Sequence, residues 1–230
     1  SGFLITHTAW AGVSFIDRAS GWVGNTWSRS NTVSGLQVFT YSDVQVEDSV
    51  FSDFEPEGGT NYQNFGARVA DYASMRATDC IFGGNIGGFN YGSNDYGVSA
   101  SANASVALYG GYLNNNYQGM LCSDHSDCSL YSGTSYGLVY VNYNSNSGLY
   151  FQRAASGSLQ SSQLWGNGNH GLVVIRQSHV IYSSDDNSGV SNANCGLYVG
   201  LHSTVDVGAE GADGANGKVC ADAATYGTTY

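Results

Sequence analysis

The sequence predicts an all-β fold, a right-handed parallel β-helix wound as a single-stranded solenoid of about seven to eight coils. Three observations predict it. A glycine followed by an apolar residue recurs along the chain, apolar residues hold fixed offsets from that glycine, and no segment carries the period of a long amphipathic helix.

The glycines are Gly35, Gly66, Gly97, Gly119, Gly148, Gly171 and Gly196, at intervals of 31, 31, 22, 29, 23 and 25 residues. Three residues beyond each stand Val38, Val69, Ala100, Cys122, Phe151, Val174 and Val199. Nine beyond stand Val44, Met75, Val106, Cys128, Gly157, Val180 and Val205, and eleven beyond Val46, Ala77, Leu108, Leu130, Leu159, Tyr182 and Val207. Offsets that alternate by two residues belong to strands with one buried face. A third apolar patch follows at Val50-Phe51, Ile81-Phe82 and Leu113, which makes three short strands per coil. A single coil cannot bury its apolar side alone, so neighbours must stack at the ~4.8 Å strand spacing.

An asparagine stands two or three residues before most of these glycines: Asn64, Asn94, Asn116, Asn146, Asn169 and Asn194. Asparagine tolerates left-handed backbone and can hydrogen-bond the turns above and below. An antiparallel sandwich is the rival fold, but it gives no reason for glycines in register. The motif fades after Val207, so coils are expected over 1–207 and an irregular loop and end segment over 208–230. Glycine recurs every third residue from Gly208 to Gly217, too briefly and without the proline of a collagen helix.

Composition narrows the partners. The formal net charge is −11, and lysine occurs once, at Lys218. Duplex nucleic acid and anionic membranes both call for the cationic surface this chain lacks. No apolar run approaches the ~18 residues of a spanning helix, so no membrane insertion is expected. The chain begins at Ser1 in strand-like sequence (Phe3, Leu4, Ile5), as a processed or excised segment of something longer would. The five cysteines form no CxxC pattern, and buried apolar thiols are favoured over a disulfide framework.

The repeated Asn-x-(x)-Gly-apolar-x-apolar unit, over roughly residues 1–207, resembles the turn–strand unit of the pectate-lyase-like β-helix superfamily. That superfamily includes polysaccharide lyases, pectin-type hydrolases, alginate epimerases, autotransporter adhesins and phage tailspikes, so the resemblance implies a fold and leaves the activity open. The Asp-Pro-His of the epimerases and the Arg-x-Pro-x-x-Arg of the pectate lyases are absent. Asn169-His170-Gly171 echoes the Gly-His-Gly of polygalacturonases, but Asp185-Asp186 follows it where that family has its aspartates before. In character the chain is nearest to phage tailspike and tail-fibre domains, and that likeness implies a homotrimer.

Excess coil length predicts where ligands bind. Three stretches, 21–34, 55–65 and 83–96, are expected as long loops on consecutive coils, forming one flank. They carry Trp22, Trp27, Tyr62, Phe65, Phe89, Tyr91 and Tyr96, aromatic faces suited to stacking on sugar rings. The rival reading packs these rings against the loops themselves or against another subunit. Beside them, Asp17, Asp48 and Asp79 recur at 31-residue intervals and are expected to form a column. Stacked carboxylates either sit as solvated turn residues, hold a cation such as Ca²⁺, or, for Asp48 and Asp79, supply the acid and nucleophile of a retaining glycosidase. Asp53, Glu55, Glu57 and Asp95 lie at the loop edges. Asp124, His125 and Asp127 occupy a polar turn between Cys122 and Cys128, and the other histidines form no metal triad.

These readings leave three functions. The first is an extracellular module of a virion tailspike, tail fibre or similar appendage that recognises cell-surface polysaccharide. The second is a polysaccharide-degrading hydrolase or lyase, and the third a purely structural adhesin or sheath segment.

Overall fold

A computed structural model describes residues 2–52, 63–83, 94–182, 192–207 and 219–221. Among them the chain is all β, without a helix, and every strand pairing is parallel. One sheet stacks Ala11–Phe15, Ser34–Phe39, Phe65–Ala70, Tyr96–Ser101, Gln118–Ser123, Leu149–Gln152, His170–Val174, Cys195–Val199 and Val219–Ala221 in sequence order. The second sheet carries two lines of strands. The nearer line runs through Ser20–Gly24, Asp43–Glu47, the first halves of Ser74–Gly83 and Ser105–Asn114, then Asp127–Tyr131, Ser156–Leu159, His179–Tyr182 and Thr204–Val207. The further line runs through Phe3–Thr6, Thr26–Arg29, Val50–Ser52, the second halves of the two long strands, Val139–Asn142 and Ser162–Trp165. The arrangement is compatible with a parallel β-helix. Val219–Ala221 adds a strand beyond Val207, where the sequence motif fades.

Alternation sets the core. Val38, Val69 and Ala100 are cross-strand partners, as are Val44, Met75 and Val106, and all are almost fully buried. The Phe51 and Phe82 rings stack 5.3 Å apart on the further line. Inward residues that face each other across the first corner, between the first sheet and the nearer line, share a fixed space. Phe15 and Phe151 are the largest at their position, and each faces a glycine. A Cβ on Gly21 would lie 2.4 Å from the Phe15 ring, and one on Gly157 would lie 2.6 Å from the Phe151 ring. Cys122 and Cys128 occupy the same paired positions and form a disulfide, with Cα atoms 6.2 Å apart. Cys195 is disulfide-bonded as well, so buried free thiols describe only Cys80 among the described residues. Burial pushes the Cys80 thiol up to about 12.

The recurring glycines have a steric cause. A Cβ on Gly35 would lie 2.8 Å from the Gly66 carbonyl oxygen, and Gly66, Gly97, Gly119, Gly148 and Gly171 each crowd the next glycine's carbonyl in the same way. Their bare backbones make room for a ladder of side-chain amides, Asn31, Gln63, Asn94, Asn116, Asn144 and Asn167, all buried, continued by the half-buried Asn192. Asn144 is typical. Its Nδ2 donates to Leu113 O at 3.0 Å and to Asn167 Oδ1 at 2.9 Å, while its Oδ1 accepts from Asn116 N at 3.0 Å. This ladder differs from the expected one. Of the asparagines expected, Asn94 and Asn116 lie in it, whereas Asn146, Asn169 and Asn194 form a second ladder outside it.

The first corner, between the first sheet and the nearer line, is built from consecutive left-handed pairs. They are Asp17-Arg18, Thr40-Tyr41, Asp71-Tyr72, Ala102-Asn103, Asp124-His125, Arg153-Ala154, Arg176-Gln177 and Leu201-His202, all with φ between 53° and 65°. Backbone bonds such as His125 N to Arg153 O (3.1 Å) and Ala154 N to Arg176 O (3.0 Å) hold them in register.

Candidate functional site

The aspartates part company. Val13 pairs with Leu36 and Phe15 with Val38, so the first repeat is 23 residues long and Asp17 falls beside Thr40 in the first corner. Asp48 and Asp79 lie instead in the second corner, between the nearer and further lines, where Val50 pairs with Ile81 and the two aspartates are in register. The equal 31-residue spacing hid this, because a short repeat moved Asp17 to another corner.

Asp48 is exposed, whereas Asp79 is 4% exposed and held by the 132–138 turn. Thr134 Oγ1 donates to its Oδ2 at 2.6 Å, Ser135 N to the same oxygen at 2.9 Å, and Tyr136 N to Oδ1 at 3.3 Å. Burial pushes this carboxyl up, but the donors together outweigh burial and hold it below the ordinary carboxylate value. Asp79 therefore anchors a turn as a carboxylate. Among the described residues no three of His, Cys, Asp and Glu gather to hold a metal ion.

The four described aromatics lie on different lines rather than on one flank. The stretch 21–34 is no long loop: Ser20–Gly24 and Thr26–Arg29 are strands of a minimal repeat. Trp22 stands exposed on the nearer line beside Gln45, and Trp27 stands on the further line between Leu4 and Val50. Phe65 and Tyr96 stack 5.4 Å apart on the first sheet, with the Arg68 guanidinium 5.4 Å from the Phe65 ring. Tyr62, Phe89 and Tyr91, with Asp53, Glu55 and Glu57, lie outside the described residues.

Two of the expected residues do meet. Trp27 and Asp48 line a groove of about 350 Å³ with Gly2, Phe3, Leu4, Asn25, Thr26 and Val50. Its floor belongs to the outward row of the further line. Phe51, Phe82, Leu113, Val141 and Leu164 point inward from that line, so their alternates, Leu4, Trp27, Val50, Ile81, Tyr112 and Tyr140, form the opposite row, in which Ile81 is nonetheless buried. Tyr112 and Tyr140 stack 4.9 Å apart, and Tyr136, from the turn that grips Asp79, meets Tyr112 edge-on at 5.1 Å. Arg29 places its guanidinium 5.3 Å from the Trp27 ring. Chemically, the groove sets an indole beside a carboxylate and a carboxamide, surfaces that suit the apolar face and the hydroxyls of a sugar respectively. Sequence reasoning missed Leu4, Asn25, Tyr112, Tyr136 and Tyr140. The signal was the Trp27–Val50–Ile81 offset, readable once Gly12 is taken as the first glycine of the series.

No protein-family model matches the chain, and no curated protein is similar to it in sequence.

Proposed function

We propose that this chain is an extracellular module that recognises polysaccharide on a cell surface, as part of a virion tailspike, tail fibre or similar appendage. The observation that carries the reading is the groove on the outward face of the further line, where Trp27 and Asp48 meet beside Leu4, Asn25 and Val50. Aromatic side chains contribute binding where a ring can lie against an apolar face and flanking polar groups fix its orientation. The disulfides support an oxidising compartment, since such bonds persist outside the cytosol. The finer fold is a right-handed parallel β-helix of about seven to eight coils, because crossovers between parallel strands are right-handed in nearly every case. In the intact assembly the chain is a homotrimer.

A panel of bacterial surface polysaccharides tests this reading, with binding and the release of new chain ends both measured. At least one glycan should bind without being cleaved. Trp27→Ala should weaken that binding by about 1 kcal/mol or more, on the scale of an aromatic contact, and Asp48→Asn should weaken it too. Cleavage would make the chain an enzyme, and no binding across the panel would leave a structural segment.

A further inference from the structure

The chain carries seven basic residues against eighteen acidic ones, yet two of its arginines stand on adjacent rungs of one column. Arg153 and Arg176 are both the first residue of a left-handed pair in the first corner, and Ala154 N donates to Arg176 O at 3.0 Å. Their backbones are therefore roughly one strand spacing, ~4.8 Å, apart. Like charges directly opposite each other in a ladder repel. One is offset: Asp124, on the preceding rung, accepts from Arg153 Nη1 at 3.3 Å. Arg176 has only a neutral partner, Gln152 Oε1 at 3.1 Å, and no carboxylate among the described residues pairs with it. Asp127, the other acid of that turn, accepts from Ser156 Oγ at 2.8 Å. Among the described residues the corner so leaves one guanidinium without a carboxylate beside a second. Both line a groove of about 450 Å³ with His125, Gln177, Leu201 and His202.

We propose that this groove binds a carboxylate-bearing saccharide, a uronic-acid unit of an acidic glycan, with Arg176 and Arg153 clamping the carboxylate. A guanidinium presents planar paired donors that match a carboxylate. His125, His202 and Gln177 offer side-chain donors and acceptors for the neighbouring hydroxyls. The strongly negative remainder of the chain confines this binding to the corner, since an acidic glycan is repelled elsewhere. The site is distinct from the Trp27 groove, and each can fail without the other.

Titration calorimetry on the full chain tests it with a galacturonate hexamer, and with the same hexamer after its carboxylates have been reduced to alcohols. The hexamer should bind and the reduced hexamer should not. Arg176→Ala should weaken binding at least tenfold, while Trp27→Ala leaves it unchanged. Ala154 already holds the same backbone geometry beside Arg153, so alanine at 176 leaves the corner folded, which circular dichroism checks. Sodium sulfate at the hexamer's concentration should fail to displace it. Displacement by sulfate would overturn the saccharide in favour of a free anion. Equal binding of the reduced hexamer, wild-type affinity in Arg176→Ala, or no binding of the hexamer would overturn the site.

Discussion

Two ladders run the length of this molecule and constrain the sequence in opposite ways. The amide ladder at the third corner, between the further line and the first sheet, is buried except at the half-buried Asn192 and accepts little but asparagine: Asn31, Asn94, Asn116, Asn144, Asn167 and Asn192, with Gln63 alone differing. The first corner demands a special backbone at every rung, two successive left-handed residues, and accepts Thr-Tyr, Asp-Tyr, Arg-Ala and Leu-His alike. One ladder is held by side chains that bond to each other; the other is held by backbone bonds between neighbouring rungs. A requirement on side chains leaves a trace in the sequence, and a requirement on dihedral angles met by ordinary residues does not.

The comparison breaks first at Asn144. Replacing it with leucine strands the Asn116 amide donors and removes two bonds made by Asn144 itself, all without access to water. At roughly 1–3 kcal/mol for each buried group left unpaired, Asn144→Leu should cost on the order of 4 kcal/mol in urea denaturation. A loss below about 1 kcal/mol would mean that the ladder contributes little beyond filling space.

Asp79 is the intermediate case, a left-handed corner residue (φ 52°) whose side chain is also engaged. Asp79→Asn keeps a residue tolerant of that backbone but removes the charge that Thr134, Ser135 and Tyr136 serve. The expected loss at pH 7 is about 1–2 kcal/mol, the scale of hydrogen bonds to a charged group. The pH dependence has a definite sign. The folded-state value lies below the unfolded one, so the contribution is complete above the unfolded carboxylate range and vanishes as pH falls through the folded value. Melting curves of wild type and Asp79→Asn should therefore converge at acid pH and separate at neutral pH. A constant gap would assign the effect to shape rather than charge.

The smallest effect belongs to the first corner. Thr40 is β-branched and sits at φ 55°, where a side chain costs about 1–2 kcal/mol. Glycine there relieves that strain but gives up about 0.5–1 kcal/mol of chain entropy. Thr40→Gly should leave the melting temperature unchanged or raise it by a few degrees. A clear drop would show that this corner, too, depends on its side chains.

The same contrast explains what could be read from the sequence. Inward valines and leucines and the crowded glycines follow from alternation and from steric contact, so their register was legible. The amide ladder was legible in kind but not in place. Asn144-Ser145-Asn146, Asn167-Gly168-Asn169 and Asn192-Ala193-Asn194 each offer two asparagines, and only the fold decides which turns inward. Gln63, longer by one methylene, replaced the expected Asn64. The first corner carries no glycine or asparagine pattern, so its pairs were invisible, and with them the arginines of the proposed anion groove. Of the site first expected, Trp27 and Asp48 came together while Asp17, Trp22, Phe65 and Tyr96 went to other lines. For Asp17 and Trp22 the cause was one short repeat that the spacing of the aspartates concealed; Phe65 and Tyr96 directly precede Gly66 and Gly97 and so begin strands of the first sheet.

The bargain struck across the first corner between Phe15 and Gly21, between Phe151 and Gly157, and covalently between Cys122 and Cys128 bears on how such a chain can change over generations. Neither partner can be revised alone: a bulkier residue opposite Phe151 has no room, and a lone cysteine forfeits its bond. A recombination that cuts within the corner would mate phenylalanine with valine, or orphan a thiol. One that cuts within the outer strands carries both partners together. Shuffling and duplication of these repeats are thus viable only at certain seams, and the hereditary unit of this protein is the bend with its two flanks, not the strand.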